Sequence, residues 1–236
     1  MSYFESRLKV DFQDNHEIAE KLSICRQLGI KNVILEPKTK FLEYQEQINE
    51  ILENHTYINI FLRCNIEADS LKRLKNSLKD FMNSSYIVSV ESSNKEVQLF
   101  AAKDSRIDIV SFSKQEVLKT ITPGVISLVK QNNSFIEFSL APLMEKNMQI
   151  QSRNLRNLYK AINLVLKYKC LFILSGNFKE ACHLRHPRGL LSVVHTLLDV
   201  PENKAKNAFS SNVKSLLDRV KFRNENQNAE NGIKII

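Results

Sequence analysis

Seven short β-type runs, each followed by a stretch with helical spacing, restrict this chain of 236 residues more than any other feature. The runs are Leu8–Phe12, Asn32–Leu35, Tyr57–Arg63, Tyr86–Val90, Ile107–Phe112, Phe135–Leu140 and Cys170–Leu174. Two of them, "NVIL" and "LFIL", are apolar without alternation, the pattern of a strand covered on both faces. Between the runs, apolar residues recur at spacings of three and four. Ile18, Leu22, Cys25 and Leu28 do so, ending at the C-cap candidate Gly29. So do Phe41, Tyr44, Ile48, Ile51 and Leu52, and then Leu71, Leu74, Leu78 and Phe81. Strands alternating with helices long enough for crossovers predict an α/β chain with parallel pairing. No Gly- or Ser-rich linker divides the series, which favours one barrel-like (β/α) domain over an open sheet with a second domain.

After the seventh run the pattern changes to extra C-terminal helices. "HPRGLLSVVHTLLDV" puts Pro187 at a helix start, with Leu190, Leu191, Val194, Leu197 and Leu198 on one face. His195 lies within that helix and reads as a packed core histidine rather than a ligand. Pro201 opens a second helix through Ala205, Ala208 and Phe209. "SSNVKSLLDRV" predicts a third, with a Ser cap and Val213, Leu216, Leu217 and Val220 facing inward. The final stretch is polar and Asn-rich, so the expected division is one domain over 1–222 and a disordered tail over 223–236.

A protein active site on a (β/α) barrel belongs at the carboxyl ends of the strands. Those positions offer Asp14, Glu36, Arg63, Glu91, Ser113, Ser139 and Ser175. No histidine pair accompanies the first strand, "LKVDFQD", as a metal-dependent hydrolase would need, and His16 and His55 stand alone. Five glycines form no phosphate loop, and Ser175 in "ILSGN" lacks the preceding glycine of a nucleophile elbow. Cys182, His183 and His186 are close in sequence, but no second ligand pair follows at zinc spacing. The expectation is therefore no catalytic residue and no protein-bound metal or other cofactor.

Charge points elsewhere. Residues 1–150 carry 19 Lys+Arg against 20 Asp+Glu, whereas residues 151–236 carry 15 against 6. The net of +8 thus belongs to the last third, an asymmetry that suits a polyanionic partner. In "RNLRNLYKAINLVLKY" the apolar residues Leu155, Leu158, Tyr159, Ile162, Val165 and Leu166 form one helical stripe. Arg153, Arg156, Lys160, Asn163 and Lys167 form another. No acidic residue interrupts from Gln151 to Phe178, and such a single-sign face fits a phosphate backbone. Arg185 and Arg188 flank a helix start, where free N–H groups and the dipole favour an anion. Arg188 could instead pair with Glu180. The four cysteines are scattered, which suggests reduced thiols in a cytoplasmic protein. No apolar run approaches the roughly 20 residues of a membrane span, and the amino terminus lacks the plan of a signal peptide.

Four segments, in order, carry a resemblance. They are "LKVDFQDN…CRQLGIKNVILEPK", "AAKDSRIDIVSFS", "FIEFSLAPLM" and "LFILSGN…HLRHPRGLLSVVHTLLDVPENKAKNAFSSNVKSLLDR". Together they span nearly the whole chain, which resembles ribonuclease P protein component 3, the thirty-kilodalton subunit of archaeal and eukaryotic ribonuclease P. The resemblance implies an irregular TIM-like (β/α) barrel with fewer than eight strands, related to metal-dependent phosphoesterases but without their ligands. It implies a subunit that binds the ribonuclease P RNA and, with a small ferredoxin-like protein subunit, supports removal of 5′ leaders from precursor tRNA. The RNA is then the catalyst, and Mg2+ is expected on the RNA. Arg106, in "KDSRIDIV", stands at the most recognisable family position and joins Arg153, Arg156, Lys160, Arg185 and Arg188 as candidate RNA contacts. It could instead pair with Asp104 or Asp108. The family pattern has an aspartate shortly after the Arg-x-Pro-Arg-like run, whereas here Gly189 follows Arg188. The lack of a basic nuclear-import cluster near the end favours an archaeal setting. The alternative reading is a divergent metal-dependent phosphoesterase acting alone.

Overall fold

A computed structural model describes the chain over residues 2–38, 45–81 and 86–231, with side chains given from 47 in the second span and to 225 in the third. Seven strands alternate with helices through β7. They are β1 (Phe4–Val10), β2 (Asn32–Pro37), β3 (Asn59–Glu67), β4 (Ile87–Glu91), β5 (Ile109–Phe112), β6 (Phe135–Ser139) and β7 (Phe172–Ser175). The first crossovers are α1 (Asn15–Gln27), α2 (Gln45–Asn54), α3 (Leu71–Lys79) and α4 (Lys95–Lys103). After β5 come α5 (Gln115–Leu118) and α6 (Pro123–Gln131), and after β6 the long α7 (Met148–Lys167). Among the described residues three helices follow: α8 (Pro187–Leu197), α9 (Glu202–Ala208) and α10 (Ser211–Asn231). Each strand pairs in parallel with the next, so the sheet order is the chain order. This is the irregular TIM-like barrel the sequence predicts. Phe41 and Tyr44 of the expected second helix lie outside the described residues.

Local chemistry sets the helix ends. Asp14 Oδ1 accepts the Glu17 amide at 2.9 Å, and Thr122 Oγ1 accepts that of Val125 ahead of Pro123. At the other end of α1, Ile30 N donates to Cys25 O and Gly29 N to Arg26 O, with Gly29 at φ 72°. That is a Schellman closure. The α6 and α7 ends close in the same way with Asn133 and Lys169 in the left-handed region, without glycine.

The seam between β7 and β1 is bridged by side chains: Ser6 Oγ donates to Leu174 O at 3.0 Å, and Glu5 Oε1 accepts Gly176 N at 3.0 Å. β1 begins at Phe4, four residues before the expected start, and its register on β2 shifts between Glu5 and Leu8. The polar "FESR" stretch hid it from an apolar-run reading because Glu5 and Arg7 point into the barrel.

Alternate residues of each strand share the inner face, so the lumen is layered. The amino-terminal layer is apolar: Ile34, Ile87, Ile109, Phe135 and Ile173 pack on Val213, Leu216 and Val220 of α10, with Leu217 half-buried beside them. Each such buried side chain contributes about 1.5–3 kcal/mol. α10 is also pinned by polar bonds. Arg219 Nε and Arg223 Nη1 reach the buried Asp108 at 3.3 and 2.5 Å, and Arg223 Nη2 donates to Tyr86 O at 2.8 Å. The chain beyond 222, expected as a tail, is thus anchored at Arg223 and helical as far as Asn231. Residues 232–236 lie outside the described residues.

Two expectations about α8 are corrected. Leu197, assigned to the buried face, is 54% exposed, whereas Leu190, Leu191 and Val194 of the same expected face, and Leu198 just past the helix end, are buried. His195 is not packed in the core; it is exposed and bonds Val200 O at 2.9 Å, fastening the chain as it leaves the helix.

Candidate nucleic-acid interface

The strand-end residues that could form an active site do converge, but into a closed ionic core. Above the apolar layer, Glu36, Arg63, Ser89, Ser111 and Glu137 line the lumen with Arg7, all buried. Arg7 Nε and Nη2 grip both oxygens of Glu36 at 2.7 and 3.1 Å, and its Nη1 donates to Glu91 Oε2 at 3.3 Å. Arg63 forms a two-pronged pair with Glu137 at 2.6 and 2.5 Å. Ser111 Oγ completes the Glu137 contacts at 2.7 Å, and Ser113 N donates to Glu91 Oε1 at 3.2 Å. Burial would raise the Glu137 carboxyl, yet the Arg63 and Arg7 guanidiniums outweigh it and hold it at about 2. Burial likewise opposes ionisation of Glu36, which Arg7, Arg63 and Lys9 keep below the usual carboxylate range. Sequence reasoning picked out Glu36, Arg63 and Glu91 but not Arg7 or Glu137. Strand alternation from Phe135 is the signal that finds Glu137; the register shift between Glu5 and Leu8 leaves no such signal for Arg7.

Glu5 behaves differently. Arg7, Arg63 and Lys9 already balance Glu36, Glu91 and Glu137, leaving Glu5 as a fourth carboxyl. Burial pushes it up to about 7, against the amides of Arg7, Gly176 and Asn177 that bond its charged form. A Cβ on Gly176 would lie 2.6 Å from Glu5 Oε2 and 2.8 Å from the Phe178 ring, so a larger residue here would have to displace both side chains.

The remaining strand-end candidates are also occupied or enclosed. Asp14 caps α1, Ser139 Oγ accepts Ala141 N at 3.2 Å, and Ser175 is buried. Burial raises the thiols of Cys25 and Cys64 to about 12 and of Cys170 to about 11, which suppresses nucleophilicity. Among the described residues no group of three or more His, Cys, Asp or Glu is placed to hold a metal. His186 instead caps α8, its Nδ1 accepting the Arg188 amide at 3.1 Å.

The candidate cations fall in three places. Arg153, Arg156 and Lys160 lie exposed along one crest of α7, continued by Lys167 and half-buried Asn163. Among the described residues none of these four cations enters an ion pair. Opposite the crest, Leu158, Ala161, Ile162 and Val165 are buried, while Leu155 is half-buried and Tyr159 is 40% exposed at the stripe's edge. Arg185 and Arg188 are exposed after β7, beside the crest: Arg185 lines one groove with Ser152 and Leu155 of α7. Arg185 Nη1 donates to Cys182 O at 2.7 Å and Leu184 O at 3.0 Å, whereas Arg188 has no carboxylate partner among the described residues, Glu180 included. Arg106 stands apart in the turn before β5, at the opposite end of the barrel. Its Nε and Nη2 hold Asp104 at 2.9 and 2.6 Å, the pairing that competes with an RNA contact. Asp108 is taken by Arg219 and Arg223.

The groove holding Arg185 is an apolar cavity of about 520 Å³ between α7 and α8, lined by Leu143, Met144, Leu155, Leu190, Val193 and exposed Leu197 among others. No helix among the described residues is long and apolar enough to cross a membrane.

Comparison with known proteins gives one family and several solved structures of the same barrel fold. The family model described as RNase P subunit p30 matches residues 3–225. A chain in a cryo-EM structure of archaeal ribonuclease P with mature tRNA superposes with TM-score 0.77 at 16% identity, covering 93% of this chain and 91% of that one. A probable 2-pyrone-4,6-dicarboxylic acid hydrolase from Acinetobacter baumannii superposes with TM-score 0.63 at 9% identity, covering 92% and 100%. A zinc-bound amidohydrolase from Burkholderia multivorans gives 0.63 at 8%, covering 92% and 99%. The hydrolases share the barrel and show no more than that.

Proposed function

The chain belongs to the RNase P subunit p30 family, and on that premise we propose how its surface serves the enzyme. It is a protein subunit of ribonuclease P, the endonuclease that removes 5′ leaders from precursor tRNA. The subunit binds the RNase P RNA along the α7 crest, with Arg185 and Arg188 extending the contact past β7, and meets precursor tRNA through the complex. An RNA active site crowds phosphates together. Fixed cations on a rigid barrel lower the repulsion without taking part in the chemistry. Catalytic Mg2+ sits on the RNA. The apolar groove between α7 and α8 suits a protein partner, and the small ferredoxin-like subunit docks there, with Arg185 at the border of the two contacts. The assembly works in the cytoplasm, a setting that suits the free cysteines.

A phosphoesterase acting alone would need carboxylates free to hold metal at the strand ends. Glu36, Glu91 and Glu137 are each held by Arg7 or Arg63 instead. The observation that carries the proposal is the crest itself, exposed, of one sign and without an ion pair among the described residues, on a helix whose other face is core. Replacing Arg153, Arg156 and Lys160 together by alanine tests it. Affinity for RNase P RNA is expected to drop, and the log–log salt slope to flatten by about 0.7–0.9 for each lost phosphate contact. The melting temperature should not move. Unchanged affinity and slope would return this crest to an ordinary solvated face.

A further inference from the structure

A second groove flanks α7 on the side away from α8. Lys119, just past α5, and Lys160, on the α7 crest, both line it, and its volume is about 290 Å³. Both lysines are exposed, and among the described residues neither has an ion-pair or side-chain hydrogen-bond partner. The nearest acid in sequence, Glu116, lines a different cavity with Glu67 and Lys114. The floor is aliphatic, formed by buried Leu118 and Ala161 with half-buried Ile121 and Leu164.

One end of the groove is a fixed row of amides. Asn154 Nδ2 donates to Pro142 O at 2.8 Å, Gln115 Nε2 donates to Asn154 Oδ1, and Asn157 Nδ2 donates to Gln115 Oε1 at 3.1 Å. This chain orients Asn157 while leaving its Oδ1 with no partner among the described residues. The groove therefore joins three features: cations on its rim, an apolar floor, and a held hydrogen-bonding group at one end.

We propose that the α5–α7 groove is a binding site for one unpaired nucleotide of the RNase P RNA. The base lies on the Leu118–Leu164 floor, its edge meets the Asn157 amide, and Lys119 and Lys160 hold the flanking phosphates. The inference rests on the family reading and deepens it from backbone contact to recognition of a splayed-out base. The volume is at the small end for ligand pockets, which suits one ring system and not a folded segment. A base can enter such a site only when it has left the stack, because an A-form duplex keeps its base faces inside and offers a surface only phosphates and groove edges.

The test titrates the full chain with an unstructured RNA oligonucleotide and with a blunt RNA duplex of the same length, across a salt series. Lys119→Ala should lower the single-strand log–log slope by about 0.7 and weaken binding. The same variant should leave duplex binding as it was, while Lys160→Ala weakens both. If Lys119→Ala changes nothing while the Arg153/Arg156/Lys160 triple variant loses affinity, the groove site is wrong and the crest reading stands. Equal weakening of single strand and duplex by Lys119→Ala would reduce the lysine to a phosphate contact and also overturn the site. If neither Lys119→Ala nor the triple variant changes binding of either probe, the crest reading fails and takes the groove with it.

Discussion

Glu5→Gln should stabilise this barrel, and do so only above acid pH. The Glu5 carboxyl is buried, held by the amides of Arg7, Gly176 and Asn177, and titrates at about 7 against an ordinary 4.5. Between those values the folded chain keeps a proton that the unfolded chain has released. Stability therefore falls as pH rises through this window and levels off above it. At 1.36 kcal/mol per pKa unit the loss is about 3 kcal/mol, an upper figure since ionisation can be eased by small local shifts. Glutamine keeps an acceptor for Gly176 and has no charge to bury. Near pH 5 the two proteins should melt together, and at pH 8 the variant should melt about 6–12 °C higher for a domain of this size. Thermal and urea unfolding of both proteins from pH 5 to 8 measures the difference, in which every other titrating group cancels. A variant equally or less stable at pH 8 would refute the reasoning. It would mean that the carboxylate's bonds to the β7 turn outweigh the cost of its burial.

Three further outcomes follow from the same structure. Arg63→Met leaves Glu137 and part of Glu36 uncompensated in the lumen and should cost about 3–5 kcal/mol in urea unfolding. Adding Glu137→Gln should restore much of this, and simple additivity of the two would count against the pairing. Arg188→Ala should reduce precursor-tRNA cleavage by the reconstituted complex without changing the melting temperature, because its guanidinium has no partner among the described residues. Arg185→Ala should also lower stability by about 1 kcal/mol, the worth of its carbonyl bonds; lysine in its place keeps a charge but not the fork. Equal loss of stability at both positions would assign both arginines to the scaffold. The isolated protein should leave precursor tRNA uncut, with chelators acting only on the reconstituted complex. RNA-free nuclease activity that disappears on removal of a stoichiometric metal would show the opposite.

The order of strands and helices was legible because it rests on local periodicity: "NVIL" has the pattern of a doubly covered strand, and the spacing Ile18–Leu22–Cys25 that of a helix closing at Gly29. The single-sign crest of α7 was legible for the same reason, since its cations and its core residues belong to one helix. The α6 and α7 ends were not, because Asn133 and Lys169 adopt left-handed backbone without the glycine that would announce it. Nor could the sequence assign roles to the strand-end charges. Glu36, Arg63 and Glu91 sit where a barrel enzyme keeps its catalytic groups, and one dimension cannot tell a free carboxylate from a neutralised one. That depends on which residues meet across the lumen: Arg7 with Glu36, Glu91 and Ser111, and Arg63 with Glu137, pairs 29 to 104 positions apart. Closure of the sheet creates these contacts, and the low dielectric of the closed lumen makes each pairing obligatory. The same distinction separates Arg106, already held by its neighbour Asp104, from Arg188, which is not. Local sequence supplied the charges, and only the tertiary structure decided which are neutralised within the fold and which stay exposed on its surface.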